Sequence, residues 1–226
     1  MRYEIRPVTP AEWRESRDLR LTALQDPVAP VAFARSHAEE SAMSDDDWRR
    51  RASGVGAQQF VAVAGDATRD PSEPNGAEKW VGMAVVVVER ASYLSINAVY
   101  LLPEVRGSGL ADRLFAAAVA WTWERSDRLH LWVHEKNPRA EAFYRRMGFE
   151  RTGEVMASPL DPSAVEYELV LVRPAGARTP RPAPALPRSA PLGRHPARHA
   201  IRARSPARTS PSRGSPLVQR STSSTA

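Results

Sequence analysis

No acidic residue follows Glu168, although the 226-residue chain holds 26 of them. The 53 residues from Pro174 onward instead carry ten Arg and ten of the chain's twenty Pro, among many Ser and Ala. All sixteen aromatic residues precede residue 168. Such a tail has nothing large to bury. It cannot offset an ordering cost of roughly 1–2 kcal/mol per residue, so residues 174–226 are expected to be disordered. Residues 1–173 then form one domain with a formal net charge of −4, from 22 basic and 26 acidic residues. The basic character of the chain belongs to the tail and says little about what the domain binds. Thirty Arg against two Lys indicate a biased coding composition, which generates low-complexity ends without selection. As an interaction tail, the ten Arg would give weak, salt-dependent polyanion binding, but no aromatic residue offers a stacking platform.

The absence of cysteine excludes disulfides, thiolate metal sites and thiol nucleophiles, and no metal is expected. No window approaches the ~18 apolar residues of a membrane span. The opening MRYEIRPVTPAEWRE is charged and helix-breaking where a signal peptide needs an apolar core. A cytoplasmic protein without a membrane partner is the expectation; the oligomeric state is open.

Strand and helix signals alternate along the domain, which argues for an α/β fold. A strand at Tyr3–Arg6 leads into Thr9-Pro10-Ala11-Glu12, a helix start with Pro at the first helical position. The helix it opens carries Trp13, Leu19, Leu21 and Leu24 and stops before Pro27. A second helix begins at Ser44-Asp45-Asp46-Asp47, acidic where the macrodipole favours negative charge, and ends by Gly54. Phe60–Ala64 and Val81–Val88 read as buried strands joined by a polar connection at Asp66–Glu78, and Tyr93–Leu102 as another.

That last strand ends at Pro103. Arg106-Gly107-Ser108-Gly109-Leu110-Ala111 follows, opening a helix with Leu110, Leu114, Ala118 and Trp121 on one stripe. A glycine turn between a buried strand and a helix N-terminus exposes unpaired N–H groups, a site for phosphate or pyrophosphate. A tight turn that merely requires glycine fits the six residues equally well. The next strand, Leu129–Val133, leads through Asn137, placed as an N-cap, and Pro138 into a helix that Gly148 terminates.

With these elements in order, the sequence resembles the GNAT superfamily of acyl-CoA-dependent N-acetyltransferases. Arg106-x-x-Gly109-x-Ala111 fits its first signature, [Q/R]-x-x-G-x-[G/A] after a strand and a Pro. Asn137, Ala140, Phe143, Tyr144, Gly148 and Phe149 fit its second, N-x-x-A-x-x-F-Y-x-x-x-G-F. The resemblance covers residues 3–173. It implies a mixed central sheet flanked by helices, whose fourth and fifth strands splay to admit acetyl-CoA as cosubstrate. It also implies that pantetheine pairs with the backbone around Val99 and Leu101, and that the pyrophosphate sits on the N–H groups from Arg106 to Ala111. Asn137 would contact the pantetheine arm, and Tyr144 would lie beside the sulfur as general acid. Each residue also has a structural reading: Asn137 as a helix cap, Tyr144 as a core aromatic, Arg106 as a flank of the turn.

A base that deprotonates the amine is less legible. Glu89, His134 and Glu135 follow strand ends near the expected cleft mouth, Glu104 lies beside the turn, and water is a further candidate. In relatives, the segment over 25–55 walls the acceptor site; here it carries Phe33, Arg35, His37, Glu39, Glu40 and Trp48. An acidic wall would suit a cationic amine, whereas solvated helix faces carry such charges without a ligand. The acceptor, small molecule or protein, stays open. So does a class of acyl-CoA sensors that bind without turnover.

Overall fold

The computed structural model describes residues 2–65 and 78–175. Nearly all of the connection expected at Asp66–Glu78, and the tail from Gly176, lie outside them. Among the described residues, seven strands form one sheet in the order β1-β2-β3-β4-β5-β7-β6: β1 (Tyr3–Pro7), β2 (Ala57–Ala64), β3 (Trp80–Arg90), β4 (Tyr93–Leu101), β5 (Arg128–His134), β6 (Glu150–Ala157) and β7 (Val165–Val172). All neighbours are antiparallel except β4 and β5. The strand starting at Ala57 is three residues longer than its apolar run suggests. β6 and β7 complete the sheet beyond the strands expected from sequence.

Two layers of helices cover the sheet. On one face α5 (Leu110–Trp123) buries Leu110, Leu114, Phe115 and Ala118 against Val86, Leu94, Leu129 and Leu131. The stripe is centred one residue away from the expected one. Phe115 is fully buried, while Trp121 stays on the rim with the Arg125 guanidinium 3.8 Å from its ring centroid. α6 (Pro138–Arg146) packs on the same side through Phe143 and Tyr144.

On the other face α1 (Trp13–Leu24) buries Leu19, Ala23 and Leu24 with Phe33, Met83 and Tyr100. Three short helices follow it: α2 (Ala29–Ala32), α3 (His37–Ser41) and α4 (Asp45–Ala52). Only the last was expected. The first two are too short for helical periodicity to register, and α3 depends on a capping box in which the Glu39 carboxylate accepts from the Ser36 N–H at 2.7 Å. α4 repeats the device with Ser44 and Asp47.

Two irregularities shape the centre. β4 and β5 pair only at Leu94↔Leu129 and Ser95↔His130, then diverge, so the expected splay is present. Between the pairs Val85↔Asn97 and Met83↔Tyr100, two residues of β4, Ala98 and Val99, oppose the single Ala84 of β3, a bulge at which Ala98 takes φ +52°. Such a bulge bends its strand and increases the local twist.

Candidate active site

The splay opens a cleft of about 750 Å³ between β4, β5, the turn before α5, and α6. Its closed end is held by a buried polar cluster. Glu168 Oε1 accepts from the Tyr93 hydroxyl at 2.5 Å and lies 3.2 Å from His130 Nδ1; its Oε2 accepts from Thr152 at 2.7 Å. Burial alone would raise the Glu168 pKa, but these three donors hold it at about 2. So stable a carboxylate is an anchor for the strand junction rather than a base.

Along the open edge of β4, the Leu102 N–H donates to the Val81 carbonyl of β3. Strand alternation therefore turns the main-chain groups of Val99 and Leu101 into the gap. One of these is already used, since the Leu101 carbonyl accepts from Arg106 Nε at 3.0 Å.

The turn before α5 places both glycines in the left-handed region, Gly107 at φ +80° and Gly109 at φ +78°. A Cβ at either position would meet no atom within 4 Å, so nothing crowds the backbone there. The first helical bond runs from the Arg113 N–H to the Gly109 carbonyl, which leaves the N–H groups of Leu110, Ala111 and Asp112 without helical partners. Other members of the expected phosphate set face elsewhere. The Arg106 N–H goes to Pro103, and its guanidinium goes to the Leu101 carbonyl and to Asp26. Ser108 Oγ donates to the Val105 carbonyl at 2.7 Å, and the Leu110 side chain is core. Of this stretch, Gly107, Gly109, Ala111 and Asp112 line the cleft together with Arg106, whose N–H, Nε and Nη2 already have partners. Asp26 is itself a residue the sequence gives no reason to single out. Burial would raise its pKa, yet the Val28 N–H and the Arg106 guanidinium hold it below the usual carboxylate range.

On α6, Asn137 Oδ1 caps the helix by accepting from the Ala140 N–H at 3.2 Å, while Nδ2 donates to the Val31 carbonyl at 3.3 Å. The same amide thus starts α6 and ties the α2 segment across the cleft. Tyr144 lines the cleft with its ring among Phe115, Phe143 and Phe149, at centroid distances of 5.9, 5.6 and 6.1 Å. Its hydroxyl has no hydrogen-bond partner among the described residues, and burial pushes its pKa up to about 12. It is therefore a phenol that stays protonated and keeps a free donor.

The candidate bases separate clearly. His134 is buried and lines the cleft, but its Nδ1 accepts from the Lys136 N–H at 3.0 Å. In the neutral imidazole, Nε2 then carries the proton and offers a donor rather than a lone pair. Glu89 is exposed and outside the cleft lining. It reaches the cleft only through Ser95, whose Oγ donates to it at 2.7 Å and accepts from Asn97 Nδ2 at 2.9 Å. Glu135 accepts from the Val165 N–H, and Glu104 lies 3.3 Å from Lys79 Nζ; neither lines the cleft. Glu166 and Trp132 do line it, and sequence reasoning missed both. They belong to strand positions where an acid or an aromatic carries no spacing signal.

The profile of the Acetyltransferase (GNAT) family matches residues 20–149, more than half of the chain, and the protein belongs to that family. Over 70 residues it is 41% identical to mycothiol acetyltransferase of Salinispora arenicola, a stretch covering 29% of this chain and 23% of that protein. Over 64 residues it is 33% identical to an uncharacterized N-acetyltransferase of Methanocaldococcus jannaschii, 28% of each chain. The matched stretches thus span about a quarter of the length of these two relatives. Among solved structures, the ribosomal-protein-S5-alanine acetyltransferase of Vibrio fischeri superposes with a TM-score of 0.59 at 15% identity, covering 79% of this chain and 97% of that one. Arabidopsis thaliana NAA60 in complex with a bisubstrate analogue gives 0.54 at 16%, covering 76% and 99%. These two likenesses concern the fold.

Proposed function

We propose that the protein is an N-acetyltransferase that moves an acetyl group from acetyl-CoA directly to a primary amine. The observation that carries this reading is the convergence, at one cleft, of three kinds of group: the N–H groups at the start of α5 that lack helical partners, the gap-facing edge of β4 at Val99, and the Tyr144 hydroxyl, which has no partner among the described residues. Family membership and the NAA60 structure solved with acetyl-CoA favour this donor.

In this reading the pyrophosphate takes the main-chain donors at the α5 N-terminus, and the pantetheine arm runs along the free edge of β4. The amine nitrogen bonds to the carbonyl carbon of the thioester while negative charge gathers on its oxygen. A gap-facing N–H of β4 stabilises that charge. As the C–S bond breaks, the sulfur takes a hydrogen bond and then the proton from Tyr144. The attacking nitrogen gives its own proton to water, and a proton from water restores Tyr144, so the products are an amide and free CoA thiol. Burial suits Tyr144 to the task because it keeps the hydroxyl protonated at neutral pH. Asn137 holds α6, and hence Tyr144, against the cleft.

A second reading, acyl-CoA binding without turnover, rests on the base candidates: Glu89 is exposed outside the cleft and His134 presents its protonated nitrogen. The deciding experiment measures acetyl-CoA binding and thiol release with purified protein across a panel of primary amines. Amine-dependent thiol release is expected. Tight acetyl-CoA binding with no release from any amine would favour the sensor.

A further inference from the structure

Beside the acyl-CoA cleft lies a second cavity of about 440 Å³, a size suited to a small molecule. The two share Ala32–Ala34, Asn97 and Ala98, so they meet at the β4 bulge. The second cavity is therefore where an acceptor would approach the thioester. The acids of its helical wall are spent internally. Glu39 accepts from the Ser36 N–H and hydroxyl at 2.7 and 2.9 Å. Glu40, only 1% exposed, accepts from Arg20 Nε and Nη2 at 3.0 and 2.9 Å and from Arg51 Nη1 at 2.8 Å. Asp47 accepts from Ser44 and from Arg50. Of the three, only Glu40 and Asp47 line the cavity, and each already faces a guanidinium group.

The cations exceed them. Arg20, Arg35, Arg50 and Arg51 line this cavity against Glu40 and Asp47, a formal excess of two positive charges. Arg20 is held with its guanidinium 4.4 Å from the Phe33 ring centroid, and its Nη1 is buried with no hydrogen-bond partner among the described residues. Arg35 makes no hydrogen bond or close ion pair among the described residues; its charge acts on the exposed Glu39 carboxylate, which lies outside the cavity lining. Between these guanidinium groups and the bulge, Met43, Trp48, Val85 and Val87 give the cavity an apolar floor. A polycation entering it would meet like charge in a partly desolvated space. A carboxylate would find planar donors matched to it.

We infer that the acceptor is a small primary amine bearing a carboxylate, an amino-acid-type substrate, with its amine at the Ala98 bulge, its apolar body on Trp48 and its carboxylate toward Arg35 and Arg20. This rests on the acetyltransferase reading and narrows it. The test compares matched pairs, phenylalanine with phenethylamine and leucine with isoamylamine, alongside spermidine, by thiol release from acetyl-CoA. The amino acids should exceed the decarboxylated amines in kcat/KM by about 10- to 100-fold, the scale of a charge-assisted hydrogen bond. In Arg35→Gln, with an unchanged melting temperature, the KM for amino acids should rise about tenfold while kcat and the decarboxylated amines change little. Equal turnover within the pairs, or a preference for spermidine, overturns the carboxylate assignment and leaves the acetyltransferase reading standing. If no amine turns over, that reading fails instead. Calorimetry of the same pairs on CoA-loaded protein then decides this one: tighter binding of the amino acid upholds it, and equal or absent binding overturns it.

Discussion

In the cleft proposed for acyl-CoA the groups offered to a ligand belong to the main chain: N–H groups after Gly109 without helical partners, and the free edge of β4 at Val99. In the second cavity, proposed for the acceptor, they are side chains, guanidinium and carboxylate groups carried by α1, α3 and α4. The first kind of site is built by backbone conformation, and so depends on glycine, proline and capping residues at fixed spacings. The second is built by pairing between distant positions, such as Arg20, Glu40 and Arg51. Main-chain sites therefore tolerate few residue types but many surroundings, and side-chain sites the reverse. Substitutions on the two sides should fail in correspondingly different ways.

The largest effect is expected at the side chain that serves the main-chain half. Tyr144→Phe keeps the ring among Phe115, Phe143 and Phe149 and removes only the free hydroxyl. Thiol release should fall roughly 10²–10⁴-fold with acetyl-CoA affinity nearly unchanged, as for a lost general acid. Because this hydroxyl has no structural partner among the described residues, the melting temperature should stay constant. Full activity in Tyr144→Phe would remove the residue from the chemistry.

Gly109→Asp attacks the backbone site itself. A carboxylate at the N-terminus of α5 repels the pyrophosphate, and a left-handed φ of +78° is costly for any residue with a Cβ. Acetyl-CoA affinity should drop at least about 100-fold by titration, while the cavity beneath the helical wall keeps its ion pairs. Near-native affinity in a folded variant would place the phosphate site elsewhere.

That contrast also explains what could be read from residues alone. The turn from Arg106 to Ala111 and the run from Asn137 to Phe149 are legible because each residue answers a local demand: a left-handed turn, a cap, a helix stop. The bulge at Ala98 is not, since alanine is an unlikely choice at φ +52° and only the register with β3 creates the need. Helices α2 and α3 are four and five residues long, below one useful period of the apolar pattern. The acidic wall expected over 25–55 is present in composition. Its meaning changes because Arg20 comes from α1 and Arg51 from α4, which no spacing rule connects to Glu40. Arg106 shows the same limit, since its motif position suggests phosphate and its guanidinium serves Asp26 and Leu101 instead.

On the acceptor side the expected failure is loss of stability. Glu40→Gln strands two guanidinium groups and should cost about 3 kcal/mol in denaturant titration, the lower end for breaking a buried pair. The same pairing sets an acid limit. Burial would raise the Glu40 pKa, but Arg20 and Arg51 hold it at about 2 against an ordinary 4.5. A group with a depressed folded-state pKa contributes stability that is complete above about pH 4.5 and lost as pH falls toward 2. Glu168, also at about 2, contributes in the same window. Acid unfolding should therefore shift to higher pH in Glu40→Gln. An unchanged acid transition would show that this carboxylate is not paired in solution.

The smallest effect is expected where the domain ends. The Arg173 N–H donates to the Asp127 carbonyl, and its Nη1 donates to the Trp123 carbonyl at the end of α5, at 2.9 and 2.8 Å. These are anchors a folded domain uses. Val172 before it is 52% exposed, and the sequence after it has no acid and no aromatic residue. We propose that residues 174–226 are an appendage on a domain that is complete at Arg173. Truncation there should leave the melting temperature, acetyl-CoA affinity and thiol release unchanged, whereas Arg173→Ala in the full chain should lower the melting temperature by a few degrees, the consequence of losing about 1 kcal/mol of hydrogen bonding. Polyanion retention on a heparin column should behave oppositely. It should be weak and salt-sensitive in the full chain and vanish on truncation, because the ten arginines leave with the tail and the remaining domain carries a formal charge of −4. A truncated protein that melts early, or that still binds heparin, would move the boundary of the domain past Arg173.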